Sequence, residues 1–489
     1  MSPSEHEPLL GSTTADGAPQ NPSGQRHPRR VLIVGLCCLF MLITMTDLTI
    51  MSTSLVQAQE EFLCRTMMTT GMVEHCKDPV VQDELSVIQS WAVVFGLIPC
   101  LIMSVPCGLA ADRYGRNLVL GTSLLGVTLT NICVAAICAF PGVVNLRLIW
   151  TCSLFGFLGG GIAMFPTMLY TIVADVCNPS ERSMAFSYLG ASLMSGSLIG
   201  GGITFYLVRI GTWVSIYTGI FIMAMLSVFG YCMPETRPPE DLAPEPAVKP
   251  EPTSTHLQDF LASARTDLNR CREFLHLLAT RERQVGLMLI STVLVTFGDS
   301  QVVLLQFVTN KFEWSWGKAG LLVSVQSACS LALLLLILPT ATNLLLGIVG
   351  PRTKDLILAR VSMVFKIIGI CVVARASQSV FLFGGVALSA FGFGYSIFVR
   401  GLMTSMVPHN NAVLYSVIGF LESIGIVLAS PVMGALYRLG LKMGGSWVGL
   451  PFLLAAGLYV GALVIVSNIG VSEETIEEVA QEEVSEIQP

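Results

Sequence analysis

The chain has 489 residues, 53% of them hydrophobic and 12% charged, with a mean hydropathy of +0.70 and a net charge of −6. An ordinary soluble domain carries roughly 25% charged residues, so this chain lacks the polar surface to cover a soluble globule of its size. A large soluble enzyme is excluded in favour of a polytopic membrane protein. The net charge says little about a partner because it is unevenly placed: seven Glu and no Lys or Arg fall in residues 471–489.

Residues 1–30 are polar and rich in Pro, Gly and Ser, and are expected to form a disordered cytoplasmic tail without the apolar segment of a cleavable signal. Within it Glu5, Leu9 and Leu10 resemble an acidic dileucine sorting signal. The plasma membrane is the expected location, with a vacuolar membrane as the alternative. A bilayer core takes about 20 apolar residues per helix. Twelve stretches qualify, at roughly 31–56, 85–109, 118–140, 146–172, 183–208, 211–233, 284–308, 319–346, 357–374, 380–403, 411–436 and 448–469. They divide into an N-terminal half, 31–233, and a C-terminal half, 284–469. The linker 234–283 is first dense in proline and then amphipathic, with Leu257, Phe260, Leu261, Ala264 and Leu268 at helical spacing. Such a helix lies on the membrane surface or packs on the span ends. Residues 470–489 form an acidic tail expected to be disordered.

The first span contains "LITMTDLTI", which places Asp47 about 24 Å along a helix beginning at Val31. "LVTFGDSQV" in the seventh span repeats it, with Leu294, Thr296 and Asp299 in the places of Leu42, Thr44 and Asp47 at an offset of 252. A second set of matches joins the fifth and eleventh spans at an offset of 229, pairing Pro179 with Pro408, Ser187 with Ser416, Gly190 with Gly419 and Gly196 with Gly425. The order of these matches predicts a parallel repeat, with a binding site near the midplane between the halves. Cys64 and Cys76 lie in the polar stretch 57–84 after the first span, and can pair if that side is oxidising. Most other cysteines sit in apolar runs and show no metal spacing, so no metal or cofactor is expected. Lys and Arg near the span ends place both termini inside, with Arg30, Arg113, Arg116, Arg182, Arg352 and Lys354 on the cytoplasmic side.

Between the second and third spans stands "GLAADRYGRN". It resembles the G-x-L-A-D-R-x-G-R-K loop of the major facilitator superfamily, matching at Gly108, Ala111, Asp112, Arg113, Gly115 and Arg116 and departing at Ala110 and Asn117. "EEFLCR", "EHCKDPVVQDEL", "ERSMAFSYLG" and "WVGLPF" look like the filamentous-fungal members related to tetracycline-type exporters and proton-coupled folate transporters. The resemblance implies an all-α membrane protein of twelve transmembrane helices in two six-helix pseudo-repeat halves. It further implies a monomer, not an enzyme, that exports a small molecule such as a drug or secondary metabolite in exchange for protons by alternating access, binding no nucleic acid. An uptake symporter and a non-transporting nutrient sensor are the alternatives. Two departures bear on coupling. Cys152 stands where antiporters of the superfamily carry an Arg, and "SGSLIGGGI" has the glycines of their fifth-span element without its proline.

A charge near a helix centre costs roughly 2.5–3.5 kcal/mol on insertion scales and so faces protein or a water-filled cavity. By the resemblance the first and seventh spans line the cavity. Asp47 and Asp299, with Thr44 and Thr296 beside them, are then expected on symmetry-related walls, binding protons or substrate or latching the outer mouth. Glu422, in the middle of the eleventh span, is a further candidate for proton binding or for pairing with a base as the halves rock. Lys366 is expected to snorkel or to form a structural pair, and Arg400 to anchor a helix end or meet an anionic substrate. Gly108, Asp112, Arg113, Gly115 and Arg116 form the expected gating loop.

Overall fold

Helix α1 (Arg30–Thr69) runs well past residue 56, where its apolar character stops, so Gln59, Glu60 and Cys64 sit on a continuous helix and not in a loop. The computed structural model describes residues 30–69, 71, 73, 75–177, 179–235, 283–299, 301–346, 348–406 and 411–469. Glu5, Leu9 and Leu10, the amphipathic segment of the linker, Pro408 and the acidic tail lie outside the described residues.

After α1 come α2 (Pro79–Tyr114) and α3 (Arg116–Ala139), then α4, a pair bent by 46° (Leu146–Phe157 and Gly161–Val176). Helices α5 (Pro179–Ile210) and α6 (Thr212–Cys232) complete the first half. The second half is α7 (Arg283–Gly298 continued by Gln301–Lys311), α8 (Trp316–Leu345) and α9 (Pro351–Arg375), followed by α10 (Ser379–Met406), α11 (Asn411–Met443) and α12 (Leu450–Ser467). Eleven of these are long and apolar enough to cross a membrane, and the bent pair makes a twelfth. There is no strand among the described residues. Hydroxyls inside the spans bond back to their own helix, as Thr44 Oγ1 does to Phe40 O at 2.8 Å and Thr128 Oγ1 to Leu124 O at 2.7 Å, so they leave no donor exposed to hydrocarbon. Large apolar side chains such as Phe229, Leu336 and Val380 point outward, a surface that suits lipid and not water.

The repeat read from the sequence is a packing repeat. Gly196 of α5 lies against Leu42 and Met45 of α1, and Gly425 of α11 lies against Val293 and Thr296 of α7. The two offsets therefore describe one helix pair made twice. The halves meet along two seams. In one, Gly201 of α5 abuts Gly320 of α8, and Ser324 Oγ donates to Leu198 O at 2.8 Å. In the other, Ser86 Oγ of α2 donates to Gly434 O of α11 at 3.3 Å, and Ser430 Oγ returns a bond to Ser90 O at 3.0 Å.

The expected gating loop is mostly helix. Gly108 and Asp112 belong to α2, which ends at Tyr114. Gly115, at φ +112°, makes the turn alone before α3 starts at Arg116. Arg116 pairs with Asp112 at 2.8 Å and with Asp175 of α4 at 3.3 Å, and its backbone N–H donates to Glu235 Oε1 at 3.3 Å. The Arg113 guanidinium lies 5.6 Å from the centre of the Tyr114 ring. The motif thus ties α2, α3, α4 and Glu235, three residues beyond α6, together at the end of the bundle rich in Arg and Lys, here the basic end. The opposite end, which carries Cys64 and Cys76, is the far end.

Candidate functional site

A cavity of about 620 Å³ lies in the middle of the bundle, with walls from both halves. From α1 it takes the stripe Met45, Leu48, Ser52 and Leu55, spaced three and four residues apart as one helical face requires. Thr130 and Asn131 of α3 and Ser197 of α5 add polar atoms. The C-terminal half supplies Gln301 of α7, Gln326, Ser327 and Ser330 of α8, and Phe393 of α10.

Neither of the repeated aspartates lines this cavity, which corrects the expectation of symmetric cavity walls. Asp47 is fully buried, with Oδ1 packed toward Gly219 of α6, and neither carboxylate oxygen has a hydrogen-bond partner among the described residues. The reason lies in how α1 is rotated. The polar stripe through Thr44, Asp47 and Ser54 faces α6, where Ser54 Oγ meets Ser215 Oγ at 2.7 Å, and the neighbouring stripe faces the cavity. Asp299 sits at the break in α7, and its Oδ2 accepts from Lys366 Nζ of α9 at 2.7 Å while Oδ1 accepts from Tyr459 Oη of α12 at 2.9 Å. The two aspartates still occupy matching places, since α6 and α12 correspond. Where α12 offers the Tyr459 hydroxyl, α6 offers only Gly219. Lys366 is thereby a paired base in the span, and Thr296 bonds back to Thr292 O at 2.9 Å.

Glu422 and Arg400 find each other. Arg400 Nη2 donates to both Glu422 oxygens, at 2.5 and 2.7 Å, joining α10 to α11. Neither lines the cavity.

The far end holds a cluster that the sequence did not single out. Glu60 of α1 is 5% exposed. It accepts from Lys77 Nζ at 2.7 and 2.9 Å and from Gln82 Nε2 at 2.5 Å. From the opposite half, Trp316 Nε1 of α8 donates to it at 2.6 Å. Asn310 Nδ2 of α7 donates to the Lys77 carbonyl at 3.3 Å, a second link between the halves. The polar continuation of the first span, "QAQEEF", was the only signal for it; taken as loop, it hid a helix turn that aims Glu60 inward. Cys64 and Cys76 are joined in a disulfide with their Cα atoms 4.9 Å apart, one residue from Lys77. The disulfide closes a short loop, with a sequence separation of 12. Cys64→Ser should return about 3 kcal/mol of loop entropy to the open chain. The expected result is faster cleavage of the segment after α1 by a protease added on the far side.

The profile described as Major Facilitator Superfamily matches residues 32–430. The chain belongs to that superfamily. An MFS efflux pump of Emericella nidulans, atnC, is 26% identical over 483 residues, covering 94% of this chain and 92% of the relative. A proton-coupled folate transporter of Bos taurus is 24% identical over 406 residues, covering 78% and 79%. Among solved structures, a D-xylose-proton symporter superposes with a TM-score of 0.61 at 13% identity, over 88% of this chain and 97% of that one. The similarity in structure shows the shared fold. The superfamily chain is thus a multi-pass membrane transporter and not an enzyme.

Proposed function

We propose that this transporter exports a small organic molecule from the cytoplasm in exchange for protons, by alternating access of the central cavity. One observation carries the proposal. The cavity is walled by both halves, and contacts that hold the halves together through Glu60, Lys77, Ser86 and Ser430 lie between its level and the far end, while Ser324 joins them at the level of the cavity itself. A site shared by two rigid halves and sealed on one side is the geometry that rocking converts into access from the other side. With the basic end in the cytoplasm, the described state receives cargo from inside. The name of the Emericella relative, an efflux pump, supports the outward direction. The membrane is the plasma membrane or, in the second place, the vacuolar one.

Asp47 is the proposed proton carrier. Its carboxyl is engaged by no other side chain among the described residues, so it is free to exchange a proton in a state where α1 and α6 admit water. In inverted vesicles, whose interior corresponds to the cell exterior, an acid interior should drive accumulation of cargo. Accumulation indifferent to the pH gradient would defeat the proton part, and accumulation only in right-side-out vesicles would reverse the direction. Asp47→Asn is expected to keep the fold, since no hydrogen bond is lost, and to retain exchange of cargo at equal pH. Uphill accumulation driven by acid should fall at least tenfold. An unchanged pH dependence would leave Asp47 a packing residue.

A further inference from the structure

Among the described residues, the 23 that wall the cavity include no Asp, Glu, Lys, Arg or His. The intramembrane charges nearest in sequence to it are all turned elsewhere or engaged. Asp47 faces α6, Asp299 is bonded by Lys366 and Tyr459, and Arg400 is bonded by Glu422.

Besides the hydroxyls of Ser153, Ser327 and Ser330, the polar atoms that remain divide into two kinds. Thr49, Ser52, Thr130 and Ser197 donate their hydroxyl protons to carbonyls of their own helices, at 2.9, 3.0, 2.9 and 3.3 Å, so toward the cavity they offer only acceptor lone pairs. The carboxamides of Asn131, Gln301 and Gln326 make no hydrogen bond among the described residues, and Asn131 Nδ2 is buried without a partner. Each carboxamide carries both a donor pair and an acceptor. The three come from α3, α7 and α8, so they belong to both halves. Between them lie Met45, Met51 and Met194, unbranched side chains that adapt to irregular apolar shapes.

We infer that the cavity selects an uncharged molecule with an apolar skeleton bearing amide, carbonyl or hydroxyl groups, and that Asn131, Gln301 and Gln326 read those groups. The inference rests on the transporter reading above and names its class of cargo. An ion in this cavity would be desolvated with no opposite charge to receive it. An uncharged amide or ketol would instead satisfy carboxamides that are otherwise unpaired, and a buried polar group left unpaired is what a site discriminates by most strongly. The volume suits a drug-sized ligand.

The test uses the full-length chain reconstituted in lipid nanodiscs, with equilibrium binding of four labelled probes: cycloheximide and griseofulvin, both uncharged, rhodamine 6G, a cation, and fluorescein, an anion. Saturable binding of at least one uncharged probe is expected, and none of either ion. Gln326→Leu and Asn131→Leu should each weaken that binding about tenfold, the loss of one good hydrogen bond. Gln301→Leu is a third variant in case either of those folds poorly. Saturable binding of an ion, failure of both uncharged probes to bind, or binding indifferent to all the carboxamide variants overturns the inference. Binding as expected, with no uphill movement of the same probe in proteoliposomes, would sink the transport reading and leave the cavity's chemistry as inferred.

Discussion

Replacing Glu60 by Ala is expected to move the resting protein toward a state open at the far end and to cut uphill transport at least tenfold. Glu60 is buried and is the shared acceptor for Lys77, Gln82 and Trp316. Removing it leaves the Lys77 ammonium half-enclosed without its partner and the Trp316 N–H without an acceptor. The Lys77 and Gln82 partners lie in the same half as Glu60, so only the Trp316 bond is specific to the sealed state; a hydrogen bond to a charged group contributes about 1.5–3 kcal/mol. Inverting an equilibrium held near 1:99 by the seal takes about 5.5 kcal/mol, so up to about half of the bias is at stake. Distances between encoded spin labels at positions 68 and 313, on the far ends of the two halves, should lengthen and broaden in Glu60→Ala. Trp316→Phe, which removes only the N–H, should produce a smaller shift in the same direction. Unaltered distances in both variants would show that the seams of α2 with α11 and α5 with α8 hold the seal without Glu60.

The second large effect concerns Arg400 and Glu422. The pair is partly exposed, with 40% of the Arg400 side chain and 22% of the Glu422 side chain accessible. Arg400→Ala should therefore cost less than a fully buried break, about 1.5–3 kcal/mol, seen as a lower unfolding temperature of the purified protein. The uncompensated Glu422 carboxylate is the cause, so the neutral double variant Arg400→Met, Glu422→Leu should recover most of the stability. Transport in that double variant is expected to stay within about threefold of the original protein, because the geometry gives the pair the work of joining α10 to α11. Recovery of stability with loss of pH-driven transport would instead assign Glu422 to proton coupling.

How much of this was legible in the sequence depends on the kind of information each residue carries. The spans, the link between α2 and α3 and the match of Asp47 with Asp299 follow from hydropathy, the loop motif and the spacing of repeats, all of which can be read along the chain. The direction in which Asp47 points is not local. Its polar stripe with Thr44 and Ser54 is visible in the sequence, but a stripe can face a cavity or a neighbouring helix, and Ser215 and Gly219 of α6 decide it. Arg400 and Glu422 are each legible as misplaced charges, whereas their bond depends on α10 and α11 being neighbours. Glu60 was hidden because apolar character, which marks a span, ends before the helix does.

By itself the sequence determined that the chain crosses a membrane many times in two related halves, because burying so much apolar surface without covering charge leaves a bilayer as the solvent. It also fixed which residues had to be explained. The tertiary structure alone decided which of those charges are spent on one another, which face of α1 meets the cavity, and that the described residues of the cavity wall bring carboxamides and no charged side chain. These outcomes are set by helix rotation and by pairing between distant segments. A one-residue change in the face that a helix turns inward exchanges the Asp47 carboxylate for the Leu48 side chain, and nothing in local composition records which one is chosen.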